Sequence, residues 1–163
     1  VGASIFGDGA AAVVITPDNR GPALLASYST LFPRTEDIMG WDVTETGLKV
    51  RFSRDIPSLV RDYLPGLVEE ACRLWGLARQ DLEYFVAHPG GVKVLAAYAE
   101  SLCLEGEQLA DAWHVLANYG NMSSATVIFA LAEFLRRQEQ GSRYGIMAAL
   151  GPGFCAEQVL FRW

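Results

Sequence analysis

Apolar residues recur at helical spacing through the middle of the chain. Between Leu59 and Trp75 they fall three and four positions apart for several turns, which predicts an amphipathic helix over residues 55–75. Asp55-Ile56-Pro57 is typical of a helix start, and Gly76 of a helix end. Pro65-Gly66 interrupts the pattern and predicts a kink in this helix.

Shorter apolar runs on both sides of this helix are typical of strands. Some are continuous and some alternate with polar residues, and each is bounded by glycine, proline or polar residues. They predict strands at residues 10–16, 23–30, 48–52, 83–87, 144–150 and 154–161, with an irregular segment and a short hairpin arm at 31–46. Two further helices are expected, over 92–104 and after residue 121. This alternation predicts an α/β fold with a mixed sheet covered by helices.

Composition limits the class of protein. With 163 residues, 51% of them hydrophobic and 20% charged, the chain has the material for one globular domain over residues 1–163. The net charge of −6 argues against a nucleic-acid surface. No apolar run approaches the ~18 residues of a membrane span.

The three cysteines, Cys72, Cys103 and Cys155, are odd in number and widely spaced. They therefore predict no disulfide framework and no metal pair, and they fit a reducing, cytoplasmic compartment. The chain begins without an initiator methionine and runs directly into structured-looking sequence, so we expect it to be the later part of something longer.

His88 has the sequence context of a functional histidine. It follows a predicted strand and precedes Gly90, Gly91 and a helix, the place where α/β folds bind ligands. A structural histidine is about equally consistent with this pattern. His114 lacks such a context and is expected to be a surface or packing residue.

The second notable stretch is 117–124, Ala-Asn-Tyr-Gly-Asn-Met-Ser-Ser. Gly120 permits a sharp turn, and Asn121 suits a helix N-cap. On spacing alone, a capped core helix is the favoured interpretation. The small side chains of Ser123 and Ser124 would also let a ligand approach closely. Gly7 and Gly9 are only a weak indication of a phosphate-binding loop, because the predicted strand follows them instead of preceding them.

Four motifs together resemble a known family. They are Phe-Gly-Asp-Gly-Ala-Ala-Ala at 6–12, Ala-His-Pro-Gly-Gly at 87–91, Tyr-Gly-Asn-Met-Ser-Ser at 119–124 and Gly-Pro-Gly-Phe at 151–154. Their order and spacing are similar to the C-terminal half of type III polyketide synthases, the chalcone-synthase-like enzymes. The resemblance covers nearly the whole chain, and residues 37–42 look more like bacterial members. The related ketoacyl-ACP synthase III enzymes usually have Gln-Ala-Asn after the histidine, where this chain has Pro-Gly-Gly.

The resemblance implies the C-terminal half of a thiolase-like fold, with a mixed five-stranded sheet covered by helices. It also implies a Cys-His-Asn catalytic site in which His88 and Asn121 are the histidine and the asparagine. Such an enzyme loads an acyl-CoA starter on the cysteine and extends it with malonyl-CoA by decarboxylative Claisen condensation. Cyclisation then gives a pyrone or a resorcinol. A homodimer is implied, with no cofactor and no metal.

The resemblance further implies substrate-binding positions. Gly90 and Gly91 match the loop along the pantetheine arm of CoA, and Phe6 matches one of two aromatic gatekeepers. The second gatekeeper falls near Val50, which is not aromatic, so we expect a wider mouth. Ser123, with its small side chain, is a further substrate-binding candidate.

The nucleophilic cysteine of the family lies in the N-terminal half. None of the three cysteines here sits in a matching motif, so this chain alone is expected to be inactive without a half that carries the cysteine. The alternative hypotheses are a non-catalytic half-domain that binds CoA or a partner chain, and a ketoacyl-ACP synthase III-like condensing enzyme. Starter, number of extensions and mode of cyclisation are not determined by the sequence.

Overall fold

The computed structural model describes residues 4–18, 20–137 and 141–163. Six strands and four α-helices lie in this part of the chain, with short 3-10 turns at Arg79–Asp81 and Gly106–Leu109. In chain order they are β1 (Ala23–Leu31), β2 (Met39–Thr44), β3 (Gly47–Phe52), α1 (Ile56–Trp75), β4 (Leu82–Ala87), α2 (Val92–Leu102), α3 (Ala110–Tyr119), α4 (Ser124–Arg137), β5 (Tyr144–Gly151) and β6 (Cys155–Arg162).

The main sheet has the strand order β1-β6-β5-β4. β6 pairs antiparallel with both β1 and β5, whereas β4 and β5 are parallel. The predicted mixed sheet and α/β class are therefore confirmed. β2 and β3 form a separate antiparallel hairpin, so the arm expected within 31–46 pairs with the strand predicted at 48–52.

The expectation of five strands in the sheet is wrong, as is the strand predicted at residues 10–16. The structure assigns no strand to this segment, and Val14 and Ile15 are 86% and 76% exposed. An apolar run predicts that a segment is buried, but it does not identify the residues that pack against that segment. Among the described residues, no neighbouring strand pairs with this one, so the main sheet has four strands.

Helices cover both faces of the sheet because side chains along β4 alternate. Phe85 and Ala87 face the core formed with α1 and α2, whereas Tyr84 and Val86 face the smaller core formed with α3 and α4. α1 continues without interruption through Pro65 and ends as predicted at Gly76, which adopts φ 72°. The parallel strands β4 and β5 thus lie between two helical layers.

α3 was not expected from the sequence. Asp111, only 7% exposed, lies in its first turn and accepts two hydrogen bonds from the Arg137 guanidinium at 2.6 and 2.7 Å. This bidentate ion pair joins the start of α3 to the end of α4, so the two helices form an antiparallel pair. The loop between them, residues 120–123, lies at the opposite end of this helix pair.

Candidate active site

His88 is positioned by the sheet. Its backbone N–H donates to the Ala148 carbonyl of β5 at 2.8 Å, which extends the ladder one residue beyond β4. The imidazole is half-buried, and burial lowers its pKa from 6.5 to about 4. A buried imidazole loses the hydration that favours its charged form. His88 is therefore neutral at neutral pH in this chain.

In the loop after His88, backbone that carries no side chain lies close to the imidazole ring. A Cβ placed on Gly90 would lie 3.7 Å from His88 Cδ2 and 3.7 Å from Val94 Cγ1, so Gly90 lies between these two side chains. Gly91 precedes α2, and its carbonyl accepts the N–H groups of Val94 and Leu95, each at 3.0 Å. The loop is fixed by α2 on one side and β4 on the other.

The Asn121 side chain joins the α3–α4 loop to the histidine loop. It is 3% exposed, its Nδ2 donates to the Gly90 carbonyl at 3.1 Å, and its Oδ1 accepts the Ser123 N–H at 2.9 Å. These two partners set the orientation of the amide group, since one is an acceptor and the other a donor. One of the two Nδ2 hydrogens has a partner here, so the second can serve a ligand.

The Asn121 backbone holds the segment that contains Phe6. Its N–H donates to the Ile5 carbonyl at 2.9 Å, and its carbonyl accepts the Gly7 N–H at 3.0 Å. Gly120 is required here because it adopts φ 71° and a Cβ would lie 2.9 Å from the Ile5 carbonyl oxygen. Phe6 is thus placed beside Asn121 although 115 positions separate them in the sequence.

The interpretation of Asn121 as a helix N-cap is wrong. α4 begins three residues later at Ser124, after Ser123 has adopted the left-handed φ of 56°. Left-handed backbone at a residue other than glycine is costly and is found where the surroundings impose it. The asparagine serves as a bridge between loops, with its amide at the surface of a cavity.

This cavity has a volume of about 370 Å³ and lies at the carboxyl ends of the parallel strands β4 and β5. Of the seven site residues expected from the sequence, six line it, and Gly91 does not. The six are Phe6, Val50, His88, Gly90, Asn121 and Ser123. Parallel strands place ligands at this edge, so the topology agrees with a binding site.

Several lining residues were missed by the sequence analysis, among them Trp41, Phe52, Ile56, Tyr98 and Glu157. Phe52 alters the expectation of a non-aromatic gate. Its ring meets that of Phe6 edge to face, with centroids 6.4 Å apart. The alternation of side chains along β3 was the available signal, because residues 50 and 52 share one face of a strand.

None of the three cysteines lines the cavity. Cys72 is buried on α1, Cys155 is half-buried on β6, and burial raises the pKa of both thiols. Cys103 is exposed. Over the described ranges, no three or more His, Cys, Asp and Glu side chains are grouped so that they could bind a metal ion. None of the α-helices in these ranges combines the length and the hydropathy that a membrane span requires.

The pKa of His88 predicts a pH dependence of stability. The unfolded chain takes up this proton below about pH 6.5, but the folded chain does so only near pH 4. The unfolded state therefore binds more protons in this window, and the free energy of unfolding should fall as the pH decreases from 6.5 to 4. Because the ring is only half-buried, we expect a loss of about 1–3 kcal/mol.

Urea unfolding of this chain at pH 4.5, 5.5 and 7 measures the effect. His88→Gln should remove that part of the pH dependence, whereas His114→Gln, a change at an exposed histidine on α3, should keep it. Titrating carboxylates contribute equally to all three proteins and cancel in the comparison. Equal pH slopes for the wild-type chain and His88→Gln would contradict the assignment of a neutral His88.

Comparison with known proteins gives a consistent family. The model of the C-terminal domain of chalcone and stilbene synthases matches residues 23–163. A chalcone synthase-like protein of Bacillus subtilis (strain 168) is 41% identical over the whole chain, which covers 47% of that protein. The 1,3,6,8-tetrahydroxynaphthalene synthase of Streptomyces peucetius subsp. caesius is 39% identical, again over the whole chain and 45% of the relative.

A solved structure agrees with this family. The 1,3,6,8-tetrahydroxynaphthalene synthase of Streptomyces coelicolor A3(2), a bacterial type III polyketide synthase, superposes with a TM-score of 0.81 at 29% identity. The alignment covers 88% of this chain and 41% of that one. The predicted thiolase-like fold is confirmed, and the chain spans about half the length of the curated relatives it matches. It therefore belongs to the chalcone and stilbene synthase family, as the C-terminal domain of these type III polyketide synthases.

Proposed function

We propose that this chain supplies the decarboxylation half of a type III polyketide synthase active site. The observation that carries the proposal is the placement of neutral His88 and the Asn121 amide on the wall of one largely apolar cavity. Both groups offer N–H donors without carrying charge themselves. An N-terminal half with the nucleophilic cysteine would complete the site, and the protein with both halves is called the full-length protein below.

The proposed reaction uses the two donors on one oxygen. The starter acyl group is carried by the cysteine as a thioester. Malonyl-CoA loses CO₂, and the electron pair of the broken C–C bond forms an enolate whose thioester oxygen is negative. The enolate carbon attacks the acyl thioester, a C–C bond forms and the cysteine thiolate leaves. Fixed N–H donors stabilise the oxyanion strongly where water is excluded.

The hydrogen bonds of Asn121 support this role. Because Ser123 and Gly90 already hold its amide, little reorganisation is needed when negative charge develops nearby. The amide does not titrate, so it remains a donor at every pH of interest. His88 has a second proposed role, since an imidazole beside a cysteine keeps a thiolate available at neutral pH.

Two further assignments concern the walls of this cavity. Phe6, Phe52 and Val50 would form the gate between the CoA arm and the interior, and Gly90 would form the wall along that arm.

Acyl-CoA and malonyl-CoA are the proposed substrates, and pyrones or resorcinols are the proposed products. The proposed reaction uses no metal and no cofactor. We further propose a cytoplasmic homodimer, in keeping with three free thiols.

A non-catalytic half-domain that pairs with a partner chain is the second candidate. The exposed apolar segment around Val14 favours pairing, and so does the lack of a cysteine in the cavity. Pairing alone, however, gives no reason for His88 and Asn121 to share one cavity.

The test compares this chain with the full-length protein. Each is incubated with acyl-CoA starters and malonyl-CoA, and free CoA and cyclised products are measured. We expect sustained turnover by the full-length protein and none by this chain. Turnover by this chain without another polypeptide would contradict the proposal, and an inactive full-length protein would favour the half-domain.

The gate provides a second prediction. Val50 lines the same cavity as Phe6 and has a smaller side chain than an aromatic residue, so the full-length protein should accept long aliphatic starters, and Val50→Phe should shift its preference towards short ones. Val43→Phe is the matched control, because Val43 lies on the same hairpin but is 86% exposed. Rates with starters of increasing chain length measure the preference. An unchanged profile in Val50→Phe would show that this position does not control entry.

A further inference from the structure

Thr126 carries a buried hydroxyl to which the proposed reaction gives no role. It is the third residue of α4 and is 0% exposed, and it does not line the cavity. A valine would fill nearly the same space without the cost of taking a hydroxyl out of water. What threonine adds here is the hydroxyl, so its role lies in the hydrogen bonds of that group.

The side chain and the backbone of Thr126 hold one carbonyl group together. Oγ1 donates to the Ser123 carbonyl oxygen at 2.7 Å, and the Thr126 N–H donates to the same oxygen at 3.1 Å. Oγ1 also lies 3.4 Å from Asn121 Oδ1, within reach of a longer hydrogen bond. A hydroxyl has one proton to donate, so the shorter distance identifies the Ser123 carbonyl as its main acceptor. Thr126 thus acts on the residue immediately before α4.

Ser123 is held from two sides in a conformation that is unfavourable for serine. Its φ of 56° is left-handed, which costs free energy at a residue with a Cβ. Its carbonyl is bound by Thr126, and its N–H donates to Asn121 Oδ1 at 2.9 Å. Loss of the Thr126 hydroxyl would weaken the first of these restraints. Ser123 would then be free to relax, and its N–H would turn away from the Asn121 amide.

The Asn121 amide depends on that N–H for its orientation. Its Nδ2 is bound by the Gly90 carbonyl at 3.1 Å, and its Oδ1 is bound by Ser123. The terminal torsion of an asparagine side chain has broad minima, so an amide held at one end only rotates readily. Rotation would move the second Nδ2 hydrogen away from the proposed oxyanion. Such donors act only when they are fixed within about 0.5 Å and 10–20° of the productive geometry.

We propose that Thr126 is a positioning residue for decarboxylation, and that its hydroxyl fixes the Asn121 amide through Ser123. This inference rests on the proposed function, and it adds a residue that touches no substrate. A hydroxyl that only secured the start of α4 would, when lost, slow loading and decarboxylation to the same degree. A positioning hydroxyl affects decarboxylation selectively, because loading needs the cysteine and His88 but not the Asn121 amide.

The test uses Thr126→Val in the full-length protein, since this change keeps the side-chain shape and removes the hydroxyl. Thr126→Ser is the rescue variant because it keeps the hydroxyl. Thr30→Val is the matched control, at a half-buried threonine of β1 whose hydroxyl has no partner among the described residues. Loading is measured by intact-protein mass, decarboxylation by single-turnover CO₂ release, and folding by thermal melting.

Thr126→Val should decarboxylate malonyl-CoA about three- to tenfold more slowly than wild type, as expected for the loss of one hydrogen bond. Its loading should be unchanged. Thr126→Ser and Thr30→Val should keep the wild-type ratio of decarboxylation to loading. If Thr126→Val does not fold, Thr126→Ala gives the same comparison, since it also lacks the hydroxyl and places no larger apolar group beside the Ser123 carbonyl.

The outcomes separate the two proposals. A folded Thr126→Val protein that decarboxylates at the wild-type rate would overturn the role of Thr126 and leave the proposed function intact. Equal losses of loading and decarboxylation, or a Thr126→Ser protein as slow as Thr126→Val, would also overturn it. A wild-type full-length protein that is loaded but releases no CO₂ would contradict the proposed function, and this inference with it.

Discussion

Asn121→Ala in the full-length protein should lower malonyl-CoA decarboxylation about 10²–10³-fold, which corresponds to roughly 2.7–4 kcal/mol of lost oxyanion stabilisation. Starter loading should persist, because the cysteine and His88 remain. The two reactions respond differently since only decarboxylation develops charge on the oxygen that the amide contacts. Loading is measured by intact-protein mass and decarboxylation by CO₂ release.

The structure provides a competing explanation that the same experiment addresses. Asn121 also joins two loops through Gly90 and Ser123, and loss of these buried hydrogen bonds would cost about 1–3 kcal/mol of stability. Thermal melting separates the two effects. Asn118→Ala is the control, since Asn118 is exposed on α3 and its Nδ2 donates to the His114 carbonyl of the same helix at 2.8 Å. A folded Asn121→Ala protein that loses loading and decarboxylation equally would contradict a specific oxyanion role.

His88→Ala should impair both loading and decarboxylation, because the imidazole is proposed to sustain the thiolate and to stabilise the oxyanion. The double variant with Asn121→Ala should be scarcely slower than His88→Ala, as groups that act on one oxygen are not additive. His114→Ala, at an exposed histidine, should stay within a few-fold of wild type. Single-turnover assays of the four proteins measure this. Multiplicative losses in the double variant would indicate two independent roles.

Much of the fold could be predicted because local pattern and tertiary packing agree. The stripe from Leu59 to Trp75 lies on a helix whose Val60, Leu64 and Val68 are buried, and Gly76 ends it. Prediction failed where the burial of a segment depends on residues elsewhere in the chain that the local pattern cannot identify. Residues 10–16 are apolar but pair with no described strand, and α3 is a ten-residue helix with an acidic residue facing inwards.

The site was predictable only in part for a similar reason. His88 and Asn121 stand in recognisable motifs, and both line the cavity. The Phe6–Asn121 bridge and the hairpin that brings in Trp41 and Phe52 depend on long-range pairing that spacing cannot reveal. Asn121 resembled a helix cap because glycine, asparagine and small residues also begin helices. The structure shows the amide bound to another loop instead.

The most direct test of the central claim is CO₂ release from malonyl-CoA by the full-length protein under single-turnover conditions, with and without Asn121→Ala. We expect rapid release by the wild-type protein and a rate about 10²–10³-fold lower in the variant, with both proteins folded and loaded to the same extent. A folded, loaded variant that releases CO₂ at the wild-type rate would contradict the claim that this chain stabilises the enolate.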